Sequence, residues 1–303
     1  MTHPDSGFSR KVLLAVSDSE DATLALRAAV DLTNKADSEL HLAHAWQAAP
    51  PYSHPAIAMA TDSGVCEEDA RKVLFQQLDA LYAAGGTAAG AHLLRGRPST
   101  RIAVLADELG AGLIITGSRG LGTIRRLVVG SVSEGVVGLA SRPVLVVRGG
   151  DRAWPPSHVI VGDDTSAGAK RTGELAGAIA SVLGIQMLLL RVHHVFVDAS
   201  EAGRFRETAA VSPEVSLGRH ELTLNQRADA LEKKFGLRPR VSVREGDAAS
   251  VILKAAEESN ECGGSALIAV GSRGLGVLDR LRLGSVSTKV LRAARGSVLI
   301  HPS

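Results

Sequence analysis

Gly117-Ser118-Arg119-Gly120-Leu121-Gly122, followed by Gly130-Ser131-Val132-Ser133, decides the fold of this chain. The arrangement returns as Gly271-Ser272-Arg273-Gly274-Leu275-Gly276, followed by Gly284-Ser285-Val286-Ser287. Both copies read G-x2-G-x9-G-S, the second displaced from the first by 154 positions. Each follows an apolar run, Leu113 to Thr116 or Ala266 to Val270. Each precedes a helical pattern and another apolar run, Pro143 to Val147 or Ser297 to Ile300. The order is therefore strand, glycine loop, helix, strand. Glycine lets a backbone pass close to a ligand and take positive φ. A helix opening at Gly130-Ser131 directs free N–H groups and a positive dipole end at an anion. A lone G-x-x-G is usually a turn; three glycines and a serine in this context, twice over, predict a phosphate site in each half.

Working outward, the first half alternates short apolar strands with helical patterns. Strands are expected at Lys11–Val16, Leu40–Ala45, His92–Leu94, from Leu113, and at Pro143–Arg148. Helices are expected at 22–36, 67–84, 100–109 and 130–140, the first with Ala25, Ala28, Ala29 and Leu32 at helical spacing. Gln47–Gly64, with Pro50, Pro51 and Pro55, reads as a mobile loop. The pattern restarts at His158–Gly162, with helices expected at 167–183, 215–235 and 249–259 and strands at 186–192 and 240–244. Phe196–Val211 reads as a long polar connection. Such alternation predicts an α/β fold with parallel sheets covered on both faces and right-handed crossovers. The halves read as one domain duplicated, 8–149 and 157–303, with 150–156 as linker.

Composition narrows the function. Lys+Arg 34 against Asp+Glu 32 gives a net charge of +2, without the excess expected of a nucleic-acid binder. Aromatic residues are 3%, too few for base-stacking platforms. Cys66 and Cys262 have neither C-x-x-C spacing nor a histidine at metal-ligand spacing, so a reducing compartment and inert thiols are expected. Met1–Ser9 lacks the apolar stretch of a signal peptide, and no apolar run is long enough to span a bilayer. A cytoplasmic protein without membrane contact is expected.

With the glycine loop placed between strand four and helix four, the chain resembles the universal stress protein family in its tandem two-domain form, from about Arg10 to His301. In that family G-x2-G-x9-G-[S/T] marks members able to bind ATP. The resemblance implies two doubly wound, Rossmann-like or flavodoxin-like, five-stranded parallel sheets of order 3-2-1-4-5. Their switch point between strands one and four is where such folds hold ligands. It implies nucleotide contacts from Gly117, Ser118, Arg119, Gly120, Gly130, Ser131, Val132 and Ser133. The second-half equivalents are Gly271, Ser272, Arg273, Gly274, Gly284, Ser285, Val286 and Ser287. Ser133 and Ser287 are placed to cap the helix or reach a phosphate. Ala15 and Gly162, at the ends of the first strands, border the same site. The family's Asp after strand one, near the nucleoside, is Asp164 here. The first half has Ser17 at that position and Asp18 one step later, so a carboxylate's charge-assisted acceptor is missing and the second site is expected to be the stronger. ATP, with Mg²⁺ near Asp164, is the implied ligand, and nucleotide-dependent regulation or sensing in the stress response the implied role. In the family, terminal sheet edges pair between domains, so pairing of the two halves and a homodimer are expected.

Several residues keep two readings. Asp163-Asp164 suits an ATP-borne Mg²⁺, and one of the two suits a cap for the following helix. Arg119 and Arg273 suit phosphate or solvent. Arg125, Arg126, Arg280 and Arg282 read as solvated. Gly96-Arg97-Pro98 and Gly246-Asp247-Ala248, after the third strands, border a nucleoside or make ordinary turns. His44, His193 and His194 end the second strands without a nucleophile motif beside them. No Walker A lysine, G-x-S-x-G or H-E-x-x-H occurs. No catalytic residue is assigned, and at most weak ATP hydrolysis is expected. A nucleotide-free interaction module with vestigial sites, presenting its long loops to partners, and a slow hydrolase stay open as alternatives.

Overall fold

Successive side chains of a strand point to opposite faces, and here both faces are buried. In β1 (Lys11–Ala15), Val12 and Leu14 join one apolar cluster while Leu13 and Ala15 join the other. β4 (Leu113–Gly117) divides the same way, Leu113 and Ile115 against Ile114. These runs therefore need helices on both sides. The computed structural model describes residues 8–47, 67–118, 129–148, 154–193, 213–261, 264–272 and 283–302. Arg119, Gly120, Arg273, Gly274, Arg125, Arg126, Arg280, Arg282, Cys66, Cys262, His194, the Phe196–Val211 connection and nearly all of Gln47–Gly64 lie outside the described residues.

The first half continues with α1 (Glu20–Ala36), β2 (Glu39–Trp46), α2 (Glu67–Ala83), β3 (Gly90–Arg95), α3 (Pro98–Leu109), α4 (Ser131–Leu139) and β5 (Val144–Val147). The second comprises β6 (His158–Gly162), α5 (Ala167–Leu183), β7 (Gln186–His193), α6 (Pro213–Phe235), β8 (Arg240–Glu245), α7 (Ala248–Glu261), β9 (Ala266–Gly271), α8 (Ser285–Ala293) and β10 (Val298–His301). Local chemistry sets several boundaries. Pro98 opens α3, where a missing N–H costs nothing, and Gly110 closes it at φ 63, a left-handed value that disfavours side chains.

Strand order is β3-β2-β1-β4-β5-β10-β9-β6-β7-β8. Each half is thus a parallel 3-2-1-4-5 sheet, and β10 pairs antiparallel with β5, Leu299 opposite Leu145. α1, α2, α5 and α6 cover one face through Leu24, Leu74, Ile179 and Leu224. α3, α4, α7 and α8 cover the other through Ile102, Val136, Ile252 and Val290. Side chains also bridge the halves. Arg148 donates through Nη1 to the Ala294 carbonyl at 2.9 Å, Trp154 Nε1 donates to Asp31 at 3.3 Å, and Arg292 Nη2 donates to Glu134 at 2.6 Å.

Candidate functional site

β1 leads outward to β2 and β3, whereas β4 leads to β5, so the chain reverses direction between β1 and β4. Ala15 lies opposite Thr116 there, and both strands end at this switch point, where such folds form a crevice. β6 and β9 make the same division in the second half, Val161 opposite Ala269.

The glycine motif brings its two ends together at this point. The Gly130 N–H donates to the Ser118 carbonyl at 2.5 Å, and the Gly284 N–H donates to the Ser272 carbonyl at 2.7 Å. Gly130 and Gly284 are the N-caps of α4 and α8, both extended and without a side-chain cap. Ser133 Oγ donates back to the Gly117 carbonyl at 2.6 Å, and Ser287 Oγ to the Gly271 carbonyl at 2.5 Å. These two serines neither cap a helix nor face outward. They are buried and brace the first helical turn against the strand end. Ser131, Val132 and Ser285 are exposed on that turn and Val286 is half-buried. N–H groups of a first helical turn have no intrahelical acceptor, so each half presents a helix end at the crevice.

The turn after the first strand differs between the halves. Ser17 Oγ lies 2.9 Å from Ser19 Oγ and accepts from the Ser19 N–H at 3.4 Å. In the second half, Asp164 Oδ1 accepts from the Ser166 N–H at 2.9 Å and Asp163 Oδ1 from the Thr165 N–H at 2.6 Å. The helix cap expected of one aspartate belongs instead to Ser166, whose Oγ accepts from the Ala169 N–H at 3.1 Å. The two aspartates shape the turn, with Thr165 at φ 68. Gly162 packs inward: a Cβ there would meet Ile252 Cδ1 at 2.8 Å. Gly162 is half-buried and Ala15 is buried.

One participant was invisible to motif reading. The Asp163 side chain is 1% exposed and ion-paired with Arg227 of α6. Arg227 Nη2 also donates to the carbonyls of Thr165 at 2.7 Å and Ser166 at 3.0 Å. Of the histidines at the ends of the second strands, His44 borders the first-half turn, where the second half has Arg191. His44 Nδ1 lies 3.0 Å from the Val16 carbonyl, and Arg191 Nη1 lies 3.5 Å from the matching Asp163 carbonyl. Burial lowers the Arg191 pKa, with Asp164 and Asp163 opposing and Arg227 assisting. The His193 ring lies 5.7 Å from that of His220, whose pKa is lowered by burial and then by Arg191, His193 and Arg219. Gly246 and Asp247, after β8, make an ordinary helix start: Asp247 Oδ2 accepts from the Ser250 N–H at 3.0 Å. Among the described residues, no three His, Cys, Asp or Glu side chains gather as a metal site, and no helix is long and apolar enough to cross a membrane.

Comparison with known proteins agrees with this duplicated architecture. A universal stress protein from Mycolicibacterium smegmatis is 27% identical over 301 residues, covering 95% of this chain and 96% of the relative. Universal stress protein Rv2005c from Mycobacterium tuberculosis is 32% identical over 196 residues, 63% of this chain and 61% of that relative's length. The crystal structure of a universal stress protein from Archaeoglobus fulgidus shares the fold at TM-score 0.65 and 22% identity, over 96% of this chain and 98% of that one. The Universal stress protein family profile matches twice, at residues 9–148 and 156–302, once on each sheet half. With both repeats accounted for, the chain belongs to the universal stress protein family and carries two of its domains in tandem.

Proposed function

We propose that the protein binds ATP at the crevice of each half and acts as a nucleotide-dependent regulator or sensor in the stress response. The reading rests on one observation above others: both glycine motifs close on themselves in the same way, Gly130 on Ser118 and Gly284 on Ser272. That closure sets a helix N-terminus at each switch point. Main-chain amides and the helix dipole supply the attraction for phosphate, about 0.3–1 kcal/mol for each exposed helix-end interaction and up to ~2 when partly buried. Asp164, on the turn beside the second crevice, is the candidate contact for the nucleoside. Mg²⁺ would arrive on the phosphates, with the Asp164 carboxylate as the nearby hard oxygen donor. Pairing of two whole chains into a homodimer, and a cytoplasmic location, belong to the same proposal.

The test is calorimetry of ATP binding to the full chain, with mass analysis of any co-purified ligand. Two binding events are expected for the unaltered chain. Gly284→Asp removes the second and Gly130→Asp the first, each with the fold retained by circular dichroism. Flat heats with no co-purified nucleotide would favour an interaction module with vestigial sites. Steady release of ADP would favour a slow hydrolase.

A further inference from the structure

The two halves can be laid on each other residue by residue. The Val16 N–H donates to the Ala43 carbonyl, and the Asp163 N–H to the Leu190 carbonyl, so Val16 and Asp163 are equivalent. On the helices, Leu74-Phe75-Gln76-Gln77 of α2 matches Leu224-Asn225-Gln226-Arg227 of α6, with Leu74 and Leu224 both buried. Gln77 and Arg227 are therefore equivalent too. Between the halves these two positions change together: an apolar and a neutral residue in the first, an acid and a base in the second. Val16 packs into the apolar cluster, whereas Asp163 in the same place is buried and paired.

A buried pair alone would be weak evidence of purpose, because desolvation offsets most of its attraction. Arg227 does more than neutralise Asp163. Its second nitrogen holds two consecutive carbonyls, Thr165 and Ser166, of the turn that carries Asp164. Thr165 is left-handed, a conformation unfavourable for a β-branched residue that persists only where its surroundings enforce it. The first half holds its equivalent turn with a Ser17–Ser19 hydroxyl contact.

We propose that Arg227, anchored by Asp163, is a positioning residue for nucleoside recognition: it fixes the β6–α5 turn so that Asp164 faces the nucleoside. This rests on the nucleotide reading above and adds to it a difference between the sites. The second half selects nucleotide over bare polyphosphate. The first half, with Val16, Ser17 and Gln77, holds polyphosphate with little regard for what it is attached to.

The experiment uses the full chain with Gly130→Asp silencing the first site, titrated calorimetrically with ATP and with inorganic triphosphate. ATP is expected to bind more tightly. Arg227→Lys keeps a cation for Asp163 but cannot fork to both carbonyls. It should stay folded and cut the ATP-to-triphosphate preference by about tenfold, the scale of one charge-assisted hydrogen bond, while triphosphate affinity holds. Asp163→Val with Arg227→Gln, which copies the first half, and Asp164→Ala, which leaves the pair intact, should each give the same loss. A merely structural role would weaken both ligands together. An unchanged preference in folded Arg227→Lys, or parallel loss of both ligands, overturns the positioning role. If the Gly130→Asp chain binds both ligands equally, this inference fails and the phosphate site stands. If it binds neither, the nucleotide reading itself fails.

Discussion

The Ser287 hydroxyl donates to the Gly271 carbonyl at 2.5 Å, tying the first turn of α8 to the end of β9. Ser133 and Gly117 repeat the bond at 2.6 Å, but there Thr116 Oγ1 also donates to the Gly117 carbonyl at 3.2 Å. Val270 stands where Thr116 does and has no hydroxyl. Ser287→Ala therefore strands its acceptor, while Ser133→Ala leaves a second donor in place. The expected destabilisation is about 0.5–1.5 kcal/mol for Ser287→Ala, the net worth of one hydrogen bond to a half-buried carbonyl, and less for Ser133→Ala. Urea denaturation of the two variants checks the order.

Arg227→Gln alone removes the only salt-bridge partner seen for Asp163 among the described residues, whose side chain is 1% exposed. Breaking one side of such a pair costs about 3–5 kcal/mol. Adding Asp163→Val removes the stranded charge and restores the residue that already packs in the first half. The double variant should recover most of that loss. Thermal melts of the single and double variants, read as a thermodynamic cycle, measure the recovery; a double variant no more stable than the single contradicts it.

Glu134 sits in the first turn of α4 and accepts from Arg292 Nη2 at 2.6 Å and Nε at 3.2 Å. Both side chains are exposed, 43% and 64%, so the pair contributes only about 0.2–1 kcal/mol to stability. Its larger effect is electrostatic, because a carboxylate near a helix N-terminus repels the anion proposed to bind there. Glu134→Gln should leave the melting temperature nearly unchanged and tighten triphosphate binding in the first half by about two- to fivefold at low salt. The second half has Thr288 in that place and should not respond.

Stability should fall in mild acid. Burial, reinforced by His41, lowers the His92 pKa below its ordinary 6.5, and burial lowers His220 and His301 as well. A histidine with a depressed pKa binds its proton more readily in the unfolded chain. Its contribution is fully present above the unfolded value near 6.5 and is lost as pH falls through the lower folded value. Denaturation midpoints taken downward from pH 7.5 should therefore drop below about pH 6.5, and His92→Gln should make the decline shallower. A flat profile would contradict the sign.

Local periodicity made most of the fold legible. The helix expected at 167–183 is α5 to the residue, because Ser166 caps it and Gly184 ends it at φ 68. The 3-2-1-4-5 order followed from the family resemblance and holds in both halves. The glycine motif located the crevice but not the inward turn of Ser133 and Ser287, since a serine two places into a helix reads equally as a cap or a ligand contact. Arg227 escaped entirely. Its partner lies 64 positions away, a separation that carries no local pattern. The signal was present in the duplication, in the joint exchange of Val16 and Gln77 for Asp163 and Arg227.

The antiparallel seam of β5 and β10 has an architectural outcome. Each terminal strand finishes the other's hydrogen-bond ladder, Val146 facing Val298 and Val144 facing Ile300. A polypeptide ending after Val147 would bare a row of amides, and like strands would zip onto it. Such a fragment would reconstruct, from two identical copies, the twofold arrangement that the intact molecule builds from two unequal ones. Fusing the copies into one polypeptide frees them from identity, so that one half can carry a buried acid and base while its twin keeps valine and glutamine.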